Sequence, residues 1–309
     1  MPAPEPTPAS AAAEGVAIDP ATSFRPLRSR LMGIAYRMLG SVADAEDIVQ
    51  DAYVRWHAAE RSEIRVPASY LARVVTRLCL DHLKSARVRR ESYVGPWLPE
   101  PLIASPEQEG ADTQEVSLLL MLVLERLSPL ERAAFLLHDL FDLSFNEIAE
   151  TLEREASACR QLAARARKRV RDTRPRFALN SDEGPRIADA FFEASRTGNA
   201  DALRQLLAEA VVAYTDGGGR RPAALNPILG RDRVARMFLG LARKSAYLQP
   251  PILRRGFINA LPGFVTVERG GVLQTTALLI ENALIARIYI VRNPDKLRHL
   301  STGEPLSGT

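Results

Sequence analysis

Apolar residues recur every three or four positions through most of residues 24–174, which is the spacing of helices that bury one face. The first of these runs stops at Gly40, and Ser41 directly after it is a favoured N-cap residue. Pro67 suits the first turn of a third helix. The pattern therefore predicts an all-α domain over residues 24–92.

Residues 93–112 interrupt this pattern with several Pro and Gly residues, which is typical of a linker between domains. The same segment carries Tyr93, Trp97 and Leu98, and side chains of that size rarely stay in water. We therefore expect this linker to dock on a folded part of the chain.

A second helical domain is predicted over residues 113–176, and its last two helices have the spacing of a helix-turn-helix. A short helix at 146–152 is followed by a brief turn, where Glu153 stands in place of the usual Gly, and then by a basic helix from 155 to about 174. Residues 153–176 hold nine basic and three acidic side chains, a local charge of +6. A basic helix is often only a solvated surface, but the helix and turn before this one favour insertion into the DNA major groove.

The basic helix offers side chains for both bases and phosphates. Arg160, Gln161 and Arg165 are expected to point outward early in the helix, and Arg and Gln can form paired hydrogen bonds with G and A. The basic residues later in the helix are better placed for phosphates: Arg167, Lys168, Arg169 and Arg171.

Beyond Gly184 helical periodicity gives way to helices followed by strand-like alternation, which predicts an α+β domain over residues 184–298. Its second half, residues 252–291, reads as four strands, with hairpin signals at 270–271 and 281–282. We see no internal repeat.

Composition and charge narrow the possible functions. The 309 residues carry 41 Lys and Arg against 37 Asp and Glu, and a net charge of +4 is too small to identify a partner by itself. The longest apolar run, residues 118–124, falls far short of the roughly 18 residues that span a membrane. Residues 1–23 lack the parts of a secretion signal and are expected to form a disordered tail, and residues 299–309 a second tail.

Cys79 and Cys159 stand without a second pair or a nearby His at ligand spacing. We therefore expect no disulfide, no metal, no cofactor and no membrane association, and a location in the reducing cytoplasm.

An acidic stretch follows Ser41, with Asp44, Asp47 and Asp51 on one face of the predicted helix. Carboxylates near a helix N-terminus favour the macrodipole, which explains two of these residues but not Asp51, which lies too deep in the helix. Nothing marks a cleft or a base partner, so acid–base catalysis by these carboxylates is not expected.

Three segments, in this order, resemble regions two and four of extracytoplasmic-function sigma factors: residues 44–57, 68–90 and 145–170. Three shorter motifs resemble the subgroup of these proteins that carries a SnoaL-like C-terminal extension: WLPEP at 97–101, DGGGR at 216–220 and NPDKL at 293–297. The resemblance implies two all-α sigma domains, the second with a helix-turn-helix, followed by an α+β SnoaL-like cone domain.

The resemblance also implies a sigma factor that binds the clamp helices of core RNA polymerase and directs promoter-specific transcription initiation. The residues implied for the polymerase contact are Asp44, Glu46, Asp47, Gln50 and Asp51. Those implied for the minus-ten promoter element are Asp81, Lys84, Ser85, Arg87, Arg89 and Arg90, and those for the minus-thirty-five element are Arg160, Gln161 and Arg165.

In that subgroup the C-terminal extension, in place of a separate anti-sigma factor, tunes activity, so we expect it to form a regulatory interface with the linker. The residues of this interface are Trp97, Leu98, Pro99, Glu100, Pro101, Asp216, Gly217, Gly218, Gly219, Arg220, Asn293, Pro294, Asp295, Lys296 and Leu297. Within it we expect Arg220 or Lys296 to meet the carboxylate of Glu100.

Two other interpretations of these motifs stay open, a ligand-sensing site and a catalytic pocket, because the fold alone does not decide function. The corresponding rival functions are a SnoaL-type cyclase or isomerase and a ligand-sensing DNA-binding regulator. Neither rival requires the acidic helix, so the sequence favours a sigma factor that is not an enzyme.

Overall fold

The computed structural model describes residues 20–60, 64–91, 93–104, 117–171, 183–244, 252–268 and 270–301, with the backbone alone for 86–91 and 301. Most of the two predicted tails, and the linker beyond residue 104, lie outside these ranges. Residues 20–23, predicted to be disordered, instead begin a helix, because the indole of Trp56 donates to the carbonyl of Pro20 at 3.1 Å and Phe24 is buried. Residues 299–301, predicted to be tail, belong to the last helix.

The first helical domain consists of α1 (Pro20–Phe24), a 3₁₀ turn (Arg25–Leu27), α2 (Arg28–Leu39), α3 (Val42–Ala58) and α4 (Pro67–Glu91). Gly40 ends α2 with a φ of 70°, a conformation that costs little without a Cβ, and its N–H donates to Tyr36 at 2.7 Å. Ser41 caps α3 by accepting from the N–H of Asp44 at 3.1 Å. The boundary predicted at Gly40 and Ser41 is confirmed.

The second helical domain consists of α5 (Leu118–Glu125), α6 (Pro129–Asp139), α7 (Phe145–Leu152) and α8 (Ala156–Arg171). Ser128 and Ser144 each begin a helix with a capping box. In each, the Ser hydroxyl accepts from the backbone N–H of the Glu three residues later, and that Glu carboxylate accepts from the backbone N–H of the Ser. Glu153 ends α7 with φ 53° and ψ 50°, the left-handed conformation that Gly usually takes at this point. Helices α7 and α8 and the turn between them form the predicted helix-turn-helix.

The C-terminal domain is built on a seven-stranded mixed sheet in the order β1-β4-β5-β6-β7-β2-β3. Its strands are β1 (Ile103–Ala104), β2 (Leu207–Asp216), β3 (Ile228–Leu229), β4 (Ile252–Ile258), β5 (Leu261–Glu268), β6 (Val272–Glu281) and β7 (Leu284–Val291). Its helices are α9 (Glu183–Thr197), α10 (Ala200–Leu206), α11 (Arg231–Lys244) and α12 (Arg298–Ser301), and a 3₁₀ turn (Pro294–Lys296) precedes α12. Strands β2 and β7 are parallel and the other neighbours antiparallel.

The linker contributes to this sheet, which the sequence did not predict. Ile103 pairs with Ile258 and Ala104 with Phe257, so β1 is an edge strand added by residues expected to be linker. The predicted docking of the linker therefore extends to main-chain hydrogen bonding with the C-terminal domain.

The two faces of the sheet bury different partners. One face packs on α9, α10 and α11 through residues such as Phe191 and Ile288. The opposite face packs on Leu98 of the linker and on Leu118 at the start of α5, alongside Tyr289 of β7. The C-terminal domain thus holds the linker and the second helical domain on the same face of its sheet.

Candidate polymerase and promoter interfaces and the docked linker

The acidic side of α3 faces solvent, because its apolar residues Ile48, Ala52 and Trp56 turn into the first helical domain. The side chains expected to contact polymerase lie on this surface: Glu46, Asp47, Gln50 and Asp51 are exposed. Asp44 is half-buried, and its carboxylate lies 3.4 Å from the ring of His82 on α4.

The C-terminal half of α4 carries the residues expected at the minus-ten element. Lys84 and Asp81 form an exposed ion pair of 2.8 Å, and the hydroxyl of Ser85 donates to the carbonyl of His82. Residues 87–90 continue the helix, and the side chains of Arg87, Arg89 and Arg90 lie outside the described residues.

Helix α8 presents one outward side, opposite the buried residues Cys159, Ala163, Ala166 and Val170. Gln161 lies in the middle of that outward side and is exposed, as expected for a side chain that reads bases. Two residues that share this side were not predicted: Ser157, four residues before Gln161, and Ala164, three residues after it. Lys168, seven residues after Gln161, also lies on this side and was expected to contact phosphates. The spacing of Ser157 and Ala164 from Gln161, four and three residues, is the signal that would have found them.

The other predicted arginines of α8 lie on its flanks. Arg160 is exposed, with its guanidinium 5.9 Å from the ring of Phe145 on α7. Arg165 pairs with Glu131 on α6 at 3.0 Å, and Arg167 pairs with Asp139 at 2.7 Å. Arg165 is exposed, as expected, but it lies to one side of Gln161, and its Nε is turned towards Glu131 on α6.

Further along α8, Arg171 is exposed at the end of the helix, which suits the phosphate contact expected for it.

Asp216, at the end of β2, is the centre of the docked linker. Its carboxylate is fully buried and accepts from the backbone N–H of Leu98 at 2.9 Å and from the ammonium of Lys296 at 2.7 Å. The hydroxyl of Tyr93 donates to the same carboxylate. Burial, reinforced by the charge of Asp216, raises the pKa of Tyr93, so its hydroxyl keeps its proton as a donor.

Lys296 closes this contact from the other side. Its ammonium donates to the carbonyl of Leu98 and lies 4.3 Å from the ring centre of Trp97 and 4.8 Å from that of Tyr93. Aromatic faces attract a cation at these distances. One lysine therefore joins the aromatic residues of the linker to Asp216.

The turn after β2 needs its glycines to let the linker approach. A Cβ on Gly218, whose φ is 57°, would lie 2.2 Å from the side-chain nitrogen of Asn293. Asn293 itself donates to the hydroxyl of Tyr93 at 3.0 Å. Beside this turn, Arg220 forms a half-exposed pair of 3.5 Å with Asp295. The three motifs predicted to form one interface do meet.

Glu100 does not have the partner that we expected from the sequence. Its carboxylate lies at the first turn of α3, where it accepts from the hydroxyl of Ser41 at 2.8 Å and from the N–H of Val42 at 2.7 Å. The acidic acceptor of Lys296 is Asp216, and that of Arg220 is Asp295. Glu100 thus connects the linker to the first helical domain, because the main chain turns after Leu98 towards α3.

Asn259, in the turn between β4 and β5, was not predicted from the sequence as a functional residue. Its backbone N–H donates to the carbonyl of Leu102 at 2.8 Å, and its side-chain oxygen accepts from the N–H of Leu102 at 3.0 Å. Its backbone carbonyl accepts from the N–H of Leu118 at 2.8 Å. Its amide nitrogen donates to the hydroxyl of Tyr36 on α2 at 2.8 Å. The signal for this turn is an Asn at a positive φ of 46°, a position that Asn tolerates. One residue thus bonds both helical domains and the linker.

The two helical domains also pack directly on each other, with a shared apolar core. On α4, Ser69 donates to Glu147 of α7 at 3.0 Å, Arg73 pairs with Glu150 at 3.0 Å, and Arg77 donates to the carbonyl of Thr151 at 3.1 Å. These contacts hold the helix-turn-helix against the helix expected to bind the minus-ten element.

Arg132 of α6 is buried in the same interface. Its guanidinium donates to the carbonyl of Met38 on α2 and pairs with Glu125 at 3.4 Å. Burial lowers the pKa of Arg132 to about 10, which still leaves it charged at neutral pH.

Comparison with known proteins decides the family. The Sigma-70 region 2 family matches residues 24–89, and the Sigma-70, region 4 family matches residues 117–170. The ECF RNA polymerase sigma factor SigJ of Mycobacterium tuberculosis is 36% identical over 300 residues, which cover 92% of this chain and 94% of SigJ. The chain belongs to the ECF RNA polymerase sigma factors.

Other comparisons show that the similarity to known sigma factors includes the C-terminal domain. The probable ECF sigma factor SigI of M. tuberculosis is 33% identical over 293 residues, which cover 90% of this chain and 95% of SigI. The crystal structure of M. tuberculosis SigJ superposes with a TM-score of 0.72 at 34% identity, over 93% of this chain and all of that one. The predicted fold class, two helical sigma domains followed by an α+β domain, is confirmed.

The relatives SigJ and SigI are named as ECF RNA polymerase sigma factors, and the chain carries both sigma domains, regions 2 and 4. The predicted function in promoter-directed transcription initiation is confirmed. Among the described residues, no cluster of three or more His, Cys, Asp or Glu side chains could hold a metal ion. No helix in the described ranges has the length and apolar character to cross a membrane. Cys79 and Cys159 are both buried as free thiols.

Proposed function

We propose that this sigma factor exists in a closed form, and that transcription requires this form to open. In the closed form the linker and the C-terminal domain hold together the first helical domain, here called sigma domain two, and the second helical domain, here called sigma domain four. The observation that carries the proposal is the set of hydrogen bonds made by Asn259, which reaches Tyr36 of domain two, Leu102 of the linker and Leu118 of domain four.

In the open complex, α3 binds the polymerase clamp helices through Glu46, Asp47, Gln50 and Asp51. The exposure of these side chains in the closed form supports the assignment, because a first encounter with polymerase then needs no rearrangement of α3. The C-terminal half of α4 holds the minus-ten element, and α8 reads the minus-thirty-five element from its outward side.

The need to open follows from the position of the two DNA-reading helices. Promoter elements lie on opposite sides of a spacer, so the two sigma domains must stand apart when both are bound. In the closed form α7 is bound to α4 through Ser69, Arg73 and Arg77, and both domains share one apolar core. Polymerase binding provides the free energy that separates them, and the docked linker opposes it.

Asp216 acts as the structural centre of this regulation and not as a catalytic acid. Its carboxylate is fully buried and already accepts hydrogen bonds from Tyr93, Leu98 and Lys296. The proposed activity requires no cofactor and no reaction at this site. Because the C-terminal domain binds the linker, the proposal requires no separate anti-sigma factor. The proposed activity takes place in the cytoplasm, where RNA polymerase is found.

The test is run-off transcription with purified bacterial core RNA polymerase on genomic promoter fragments. Tyr93→Phe removes the hydroxyl that joins the linker to Asp216 and Asn293, and we expect it to raise the transcript yield above that of the full-length wild type. Tyr214→Phe is the matched control, because it removes a hydroxyl from the same sheet face, where Tyr214 stacks on Tyr289 at 5.4 Å. Equal yields from wild type and Tyr93→Phe would contradict the proposed regulation. If the wild type, Tyr93→Phe and Tyr214→Phe all gave no transcript, the proposed activity would be contradicted.

A further inference from the structure

Glu131 occupies an unusual place for a carboxylate in a DNA-binding domain. It is the third residue of α6 and is buried, yet it lies beside the basic helix α8. One of its oxygens accepts from the backbone N–H of Ser128 at 3.1 Å and from the hydroxyl of Ser128 at 2.9 Å. The capping box therefore fixes this carboxylate before any DNA is bound.

The same carboxylate binds two arginines of α8. Its Oε1 accepts from the Nε of Arg165 at 3.0 Å, and its Oε2 accepts from a terminal nitrogen of Arg169 at 3.2 Å. Burial opposes the ionisation of Glu131, but its bonds to Ser128 and Arg165 outweigh that effect and hold its pKa below the usual value. The side chain is thus an anion at neutral pH.

The contact leaves the end of Arg165 available. Its guanidinium is bound through Nε, and the side chain remains 57% exposed at the flank of the outward side of α8. A guanidinium presents five N–H donors in a rigid fork, so fixing Nε also fixes the direction of the two terminal nitrogens. Those two nitrogens form the pair that can bind O6 and N7 of a guanine.

We propose that Glu131 is a positioning residue for promoter reading, which holds the guanidinium of Arg165 in the orientation that recognises one guanine of the upstream promoter element. This inference rests on the proposed role of α8 in binding that element. A long arginine side chain loses conformational freedom when it binds a base, and a fixed anion that orients it beforehand removes part of that cost. Arg169, held by the other oxygen, keeps Glu131 itself in place.

The experiment uses the full chain assembled with core RNA polymerase and a library of DNA duplexes randomised over the upstream element. Sequencing of the bound fraction gives the discrimination at each base position. Wild type should prefer guanine at one position by about tenfold or more, the discrimination of a paired arginine contact. Glu131→Gln, which keeps the capping hydrogen bond, should reduce that preference to about twofold or less at this position alone.

Two further variants test the route of the effect. Arg165→Lys keeps the positive charge but has no fork, so it should lose the preference at the same position as Glu131→Gln. The double variant Glu131→Gln with Arg165→Lys should lose no more than either single variant, because Glu131 acts through Arg165. The matched control is Glu147→Gln, at the same capping position of α7, where the carboxylate binds Ser144 and Ser69 and no arginine of α8.

The outcomes separate the two proposals. A uniform loss at every position in Glu131→Gln, or the same loss in Glu147→Gln, would show a general structural role and overturn the inference. Undiminished guanine preference in Glu131→Gln would also overturn it, while leaving promoter reading by α8 intact. A wild-type holoenzyme that selects no sequence in the upstream element would overturn the proposed role of α8, and the role of Glu131 with it.

Discussion

The carboxylate of Glu100 accepts a hydrogen bond of 2.7 Å from the backbone N–H of Val42, in the first turn of α3. A carboxylate at a helix N-terminus satisfies N–H groups that lack a partner within the helix and interacts favourably with the helix dipole. Glu100 belongs to the linker, and α3 carries the acidic side proposed to bind polymerase. Two linker residues only two positions apart are therefore bound to different parts of the chain, Glu100 to the helix proposed to bind polymerase and Leu98 to Asp216.

Glu100→Ala should lower the free energy of unfolding by about 1–2 kcal/mol, because it removes a buried acceptor from the N–H groups at the start of α3. Urea denaturation of the full chain measures this value. Glu46→Ala, an exposed acid on the same helix, should change it by less than about 0.5 kcal/mol. Equal losses from the two variants would show that the contact of Glu100 adds nothing to stability.

The capping box at Glu147 predicts a pH dependence of stability. Hydrogen bonds from Ser144 lower the pKa of Glu147, which is thus lower in the folded chain than in the unfolded one. The stabilisation is then fully present above the unfolded pKa of about 4.3 and is lost as the pH falls through the folded pKa. The urea midpoint of wild type should exceed that of Glu147→Gln at pH 7, and the difference should shrink by pH 3.5. A difference that stays constant or grows towards low pH would be inconsistent with the lowered pKa.

Polymerase binding should depend on the exposed acids of α3. Asp47→Arg together with Asp51→Arg should weaken the retention of core polymerase in a pull-down, while each change alters stability by less than about 0.5 kcal/mol because both side chains are exposed. Glu209→Arg, an exposed acid on β2 of the C-terminal domain, is the matched charge reversal and should leave retention unchanged. Undiminished retention in the double variant would place the polymerase contact elsewhere.

Promoter binding should separate base reading from phosphate binding along α8. Gln161→Ala, in the middle of the outward side, should cost about 1–3 kcal/mol on the preferred upstream element and little on other sequences. Arg171→Ala should weaken binding to all sequences alike and reduce the salt dependence by about one phosphate contact. Binding titrations at several salt concentrations measure both. If the two variants gave the same pattern, α8 would not divide its residues in this way.

The sequence predicted the local features well, since they depend on neighbouring residues. Gly40 and Ser41 mark a helix boundary by their own conformational and capping preferences, and the apolar spacing of α8 assigns its outward side. The motifs that meet at Asp216 were found by resemblance, and their residues could be grouped before their contacts were known.

The sequence did not predict contacts that depend on how the domains pack. Glu100 binds Ser41 and Val42 because the linker turns back on α3, and no local pattern encodes that path. Asn259 joins three parts of the chain from a hairpin turn that, on sequence alone, has only a local role. The same limit explains why the pairing of Arg165 with Glu131 was not predicted, since Glu131 lies 34 residues earlier.

The central claim, that sigma domains two and four must separate for transcription, is tested most directly by joining them. Arg73 on α4 and Glu150 on α7 form an accessible ion pair of 3.0 Å. When both are replaced with Cys, a short cross-linker that contains a reducible disulfide can join the two helices. The native Cys79 and Cys159 are buried and so are protected from the cross-linker. As a control, Asp201→Cys with Arg204→Cys is cross-linked within the C-terminal domain.

Run-off transcription with core RNA polymerase is then compared before and after reduction of the cross-link. We predict little transcript from the protein joined between α4 and α7 and full recovery on reduction, with no effect of reduction on the control. Equal transcript from the joined and the reduced protein would contradict the claim.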